Sequence, residues 1–93
     1  MKLLEMISLR TAGINEKEAR KYMNKFCRIV AKYNLSEAHA YTHSSVPGDL
    51  ALVITSETQK SEIMGTEIGQ YIADVLKQFG LVDYNCWLLV DTK

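Results

Sequence analysis

Residues 50–55 read Leu-Ala-Leu-Val-Ile-Thr, and no choice of sheet face makes that run half polar. Side chains along a strand alternate between faces, so a strand of this kind is apolar on both and belongs at the centre of a sheet. Residues 3–11, Leu-Leu-Glu-Met-Ile-Ser-Leu-Arg-Thr, share the property, with Ile7 and Leu9 pointing one way and Leu4 and Met6 the other. So does Cys86-Trp87-Leu88-Leu89-Val90 near the end. A chain of 93 residues has room for one core only. Such a domain buries about 60–65% of its unfolded surface, so covering two sheet faces calls for material beyond one helical layer.

Two helices are legible between the strands. After the break at Ala12-Gly13, Asn15 is the expected N-cap and Glu18 the capping-box acid of a helix running to about Tyr33, with Asn34 as its stop. Ala19, Met23, Phe26, Val30 and Tyr33 recur at helical spacing, with Tyr22, Cys27 and Ile29 beside them. The second helix is expected to begin between Ser61 and Thr66 and to end at Gly80 as a left-handed C′ residue. Its stripe is Met64, Ile68, Tyr71, Ile72, Val75, Leu76 and Phe79, and Gly65 and Gly69 within it imply close packing.

Two further strands complete the pattern. Glu37–Ser44 alternates Ala38, Ala40 and Thr42 against His39, Tyr41 and His43, and the turn Ser45-Val46-Pro47-Gly48-Asp49 leads into the central strand. The last strand is expected over Asp83–Asp91. The order β-α-β-β-α-β is that of a ferredoxin-like α+β fold, a four-stranded antiparallel sheet with strands one and three central and both helices on one face. Residues 1–93 form a single such domain. Its second, apolar sheet face is a liability on a lone protomer, and pairing with a second copy removes it.

Composition narrows the function classes. With 47% apolar and 24% charged residues the chain is globular, and eleven basic against eleven acidic side chains give no net charge, which argues against a dedicated nucleic-acid binder. Residues 1–35 carry eight basic and three acidic groups, and residues 36–93 three and eight, so two helices of opposite sign are expected side by side. Lys17, Lys21, Lys25, Arg28 and Lys32 form a basic stripe, expected as a solvated face paired with Glu62, Glu67 and Asp74; an anionic partner is the alternative. No run is long enough to span a bilayer, Glu5 interrupts any leader-like apolar start, and a reducing cytoplasm is the expected location. Cys27 and Cys86, far apart, read as packing residues.

The element order, the two-faced strands and the stretch Phe79-Gly80-Leu81-Val82-Asp83 running into Trp87 resemble the dimeric α+β barrel superfamily over nearly the full chain, in particular its antibiotic biosynthesis monooxygenase-like small proteins. The resemblance implies a homodimer whose two sheets form a barrel, with a pocket often kept between sheet and helices. It also implies either cofactor-independent oxidation of aromatic compounds, haem chemistry, or no known activity. The haem-degrading members use a helix-borne His, whereas His39 and His43 lie outside the helices, so no cofactor is expected.

Candidate site residues follow from the second strand. His39, Tyr41 and His43 are the catalytic candidates, able to orient or deprotonate a phenolic ligand, or else amphipathic side chains of an edge strand at a dimer rim. Residues four apart on a strand are separated by about 13 Å, against metal–ligand bonds of about 2 Å, so His39 and His43 do not share an ion. Arg10, Asn85 and Trp87, with Ser8, extend the candidate pocket as ligand-binding residues, their sheet face undetermined because Glu5 shares periodicity with Ile7 and Leu9. No phosphate loop, nucleophile motif or paired-carboxylate spacing occurs. The expectations are a homodimer binding a small ligand, aromatic or otherwise, a cofactor-independent oxygenase acting on an aromatic substrate, or a protein-interaction module.

Overall fold

In the computed structural model, which describes residues 2–32, 36–57 and 65–90, the alternation of β1 (Lys2–Arg10) sets the sheet. Leu3, Glu5, Ile7 and Leu9 are buried toward the helices, and Leu4, Met6, Ser8 and Arg10 point to the opposite face. β1 pairs antiparallel with β3 (Asp49–Glu57) on one side and β4 (Leu81–Leu88) on the other, and β2 (Ser36–Thr42) flanks β3. The strand order β2-β3-β1-β4 puts β1 and β3 at the centre and leaves β4, the third strand read as apolar on both faces, at an edge. With α1 (Glu16–Val30) and α2 (Glu67–Leu76) this is the ferredoxin-like α+β fold.

The core lies between that inner face and the helices. Ile7, Leu9, Leu50, Leu52 and Ile54 of the sheet meet Met23, Phe26 and Val30 of α1 and Ile72 and Leu76 of α2. Rings join the helical layer: Tyr22 of α1 and Phe79, just beyond α2, have centroids 5.1 Å apart, and Phe26 meets Tyr71 of α2 edge-on at 6.2 Å. Among the described residues the ion pairs of the helical layer run within each helical segment rather than between the helices, and Lys21 is the stripe residue among them. Arg20 pairs with Glu16 (3.8 Å), Lys21 with Glu18 (3.3 Å) and Lys77 with Asp74 (3.1 Å), each within its own segment, because residues three or four apart on a helix are already neighbours. Glu62 lies outside the described residues.

Several boundaries differ from the sequence expectation for identifiable reasons. Asn15 occupies the N-cap position at φ −104°, ψ 13°, without a side-chain capping bond. Glu18 is turned to Lys21, while the Glu16 carboxylate accepts the Gly48 N–H at 3.1 Å and ties α1 to the β2–β3 turn. α1 ends at Val30, and Tyr33 and Asn34 lie outside the described residues. α2 starts at Glu67 on Thr66, whose hydroxyl oxygen accepts the Gly69 N–H at 3.1 Å, so Gly65 precedes the helix; Ser61 and Met64 are outside the described residues. A 3-10 turn over Lys77–Phe79 follows α2. Gly80, at φ 158°, ψ −157°, is not the left-handed residue expected; a Cβ there would lie 2.0 Å from the Arg10 carbonyl oxygen, so glycine lets β4 begin against the end of β1. β4 is Leu81–Leu88 rather than 83–91, two residues earlier, although the Leu89 N–H still donates to the Lys2 carbonyl at 2.9 Å.

Leu52 is fully buried at the centre of the inner face. Leu52→Ala is expected to destabilise the fold by about 2–5 kcal/mol, the usual range for such a truncation, read as a shift in urea midpoint at unchanged slope.

Candidate functional site

The cross-strand register assembles the outer face of the sheet row by row, because directly opposed residues share a face. Glu37, Thr55, Leu4 and Trp87 form one row; His39, Val53, Met6 and Asn85 the next; Tyr41, Ala51, Ser8 and Asp83 the third; Asp49, Arg10 and Leu81 the last. His39, Tyr41, Arg10, Asn85 and Trp87 therefore stand on one face, opposite the helices. They are not one cluster, since successive rows are about 7 Å apart.

The face is divided in character. Near one end, Leu4, Leu88, Leu89 and Val90 surround Trp87 in a shallow apolar hollow of about 260 Å³. Trp87 is 60% exposed and Leu89 and Val90 more so. At the other end a second groove of about 260 Å³ is lined by Ser8, Arg10, Tyr41, His43, Asp49 and Asp83. Arg10 reaches Asp49 through Nε at 3.4 Å across the β1–β3 pair. His43 has left the strand, and its Nδ1 accepts the backbone N–H groups of Ser45 (3.1 Å) and Val46 (3.0 Å). Of the sequence candidates, this groove brings together Arg10, Tyr41 and His43; His39 and Asn85 sit in the adjoining row and Trp87 beyond it. Asp49 and Asp83 are groove residues that the sequence reading missed, although the turn before β3 and the position opposite Ser8 carry them there.

A second polar cluster is internal. Glu5 is fully buried beneath the start of α2. Its carboxylate accepts the Thr66 backbone N–H, the Thr66 hydroxyl (2.9 Å) and the Tyr84 hydroxyl (2.8 Å). Burial, then the bond to Glu5 and the charge behind it, then Cys86, push the Tyr84 hydroxyl far above the ordinary tyrosine range, so it stays protonated as the donor. Two glycines permit the contact: a Cβ on Gly65 (φ +82°) would lie 1.9 Å from the Tyr84 oxygen, and one on Gly69 2.6 Å from a Glu5 oxygen. This cluster occupies part of the space between sheet and helices where the family resemblance implies a pocket. Its polar atoms are matched to one another, and it fixes α2 on the sheet. A lone acid in phase with Leu3, Ile7 and Leu9 was the available signal for it.

The remaining candidates resolve simply. Cys27 and Cys86 are half-buried free thiols, and burial raises that of Cys27 despite the neighbouring Arg28, which disfavours the thiolate. Among the described residues, no group of three or more His, Cys, Asp or Glu side chains is placed to hold a metal ion. No helix among them is long and apolar enough to cross a membrane.

No family model matches the sequence. No curated protein matches it either. Solved structures do match in shape. A conserved protein of unknown function from Bacteroides thetaiotaomicron, described as a possible oxidoreductase, superposes with a TM-score of 0.73 at 10% identity, over 92% of this chain and 95% of its own. Rv0793 from Mycobacterium tuberculosis also gives 0.73 at 10% identity, over 98% and 97%. Likeness at that sequence distance establishes a shared fold.

Removing the Tyr84 hydroxyl leaves a buried carboxylate short of a donor, so Tyr84→Phe is expected to cost about 1–3 kcal/mol near neutral pH. Because the folded state holds the Tyr84 proton more tightly than the unfolded chain, this contribution is complete below about pH 10 and is lost as pH rises past it. Denaturant titrations of both proteins across that range should show their stabilities converging; a constant difference would contradict the assignment.

Proposed function

We propose that the chain acts as a homodimer of the dimeric α+β barrel type, in which the outer sheet faces of two copies meet and the polar groove holds a small aromatic ligand. The observation that carries the reading is the apolar part of the outer face, where Trp87 is exposed beside Leu4, with Met6 and Val53 in the next row and Leu89 and Val90 following. Four strands of this length present roughly 500 Å² in projection. Side-chain relief and the segment after β4 bring that toward the about 800 Å² per partner of a stable interface. The polar positions suit self-pairing, since Lys2 and Arg10 stand on the same face as Glu37, Asp49 and Asp83. A two-fold axis would let a basic group such as Lys2 of one copy meet an acidic group of the other.

In this arrangement the groove beside Tyr41 is covered rather than open, and Tyr41 supplies a flat surface with a hydroxyl at its edge. The neighbour described as a possible oxidoreductase raises a catalytic reading of the same face, with His39 or Tyr41 as the proton acceptor. Oxidation of an added aromatic probe that is abolished by His39→Ala, with the oligomer intact, would replace binding by catalysis.

Native mass spectrometry of the protein from its own host is the test. The expected species has twice the 10.5 kDa chain mass with a small-molecule adduct, and Trp87→Asp should convert it to monomer. A bare monomer at micromolar concentration would contradict the reading and leave an interaction module for another protein.

A further inference from the structure

The turn after β2 decides what His43 can offer the groove. The His43 backbone N–H donates to the Asp49 carbonyl at 2.8 Å, which fixes the residue at the mouth of the hairpin. Its Nδ1 then receives two backbone N–H groups, from Ser45 and Val46. A ring nitrogen that accepts hydrogen bonds carries no proton of its own, so in the neutral imidazole the proton is on Nε2. The two ring nitrogens point away from one another. With Nδ1 turned into the loop, the Nε2–H edge faces away from it, on a side chain that lines the groove.

We infer that His43 is locked as its Nε2–H tautomer and serves the groove as a fixed hydrogen-bond donor that selects ligands bearing an uncharged carbonyl oxygen. The inference rests on the groove being the ligand site. Arg10 adds donors there: its Nε is directed at Asp49, and its terminal N–H groups remain for a ligand. Asp83 lines the same groove and works against an anionic group, which leaves a neutral carbonyl as the matching acceptor. His43 is thereby excluded as a base in its neutral form, since its lone pair is already engaged by the turn. That separates it from His39, whose ring makes no such bond among the described residues.

The test has a ligand-independent arm and a ligand arm, both on the intact protein. Long-range nitrogen–proton NMR of the neutral imidazoles should report His43 as the Nε2–H tautomer. A Nδ1–H tautomer, or a mixture, overturns the inference. Binding is then compared for 2-acetylnaphthalene and 2-ethylnaphthalene, which differ by the carbonyl oxygen. Wild-type protein should prefer the ketone by about 3–10-fold, the worth of one net hydrogen bond. In His43→Asn the amide oxygen still accepts the turn N–H groups, so the loop is retained while the distal donor is lost, and the preference should disappear. Equal binding of both compounds by the wild type overturns the inference and leaves the aromatic groove standing. Failure to bind either compound overturns both.

Discussion

A sheet of four strands with both helices on one side has a second side, and the way β1 and β3 fill that side governs everything else about this protein. On the inner face Leu3, Ile7, Leu9, Leu50, Leu52 and Ile54 are all buried at or below 5% exposure, a complete core. On the outer face Leu4, Met6, Ala51 and Val53 continue the same apolar character, with no layer over them among the described residues. Among the described residues both helices lie on the inner side, and no further element covers the outer one. That exposed apolar face is what the proposed pairing of two copies would cover.

Alternation made the element order and the centrality of β1 and β3 readable from sequence, because each run repeats its character over several residues. Single contacts were not readable. Glu5 looked like an obstacle to assigning a face, and it is instead the most deeply buried polar side chain, answered by Thr66 and Tyr84 from far along the chain. Periodicity cannot reveal a partner 61 or 79 residues away. For the same reason Gly65 reads as a poor helix residue in sequence, whereas in the structure it is the point where α2 closes onto that cluster. The side-chain roles at the start of α1 were not readable either, since Glu16 accepts the Gly48 N–H from 32 residues away.

The candidate site divides along the same line. Placing His39, Tyr41, Arg10, Asn85 and Trp87 on a common face follows from register, which two-residue periodicity encodes. The separate behaviour of His43 does not, because it depends on a turn in which the ring substitutes for a capping carbonyl. One polar end with an arginine and two carboxylates, and one apolar end around Trp87, give the face a direction. A two-fold partner would meet it in a single register.

Trp87 is the only tryptophan in the chain, so its fluorescence reports on the outer face alone. If two copies pair through this face, emission is shifted to the blue at working concentration and moves to the red with dilution as they separate and the ring returns to water. Emission already characteristic of a solvated indole, and unchanged across that dilution, would contradict a face covered by a second copy of the chain.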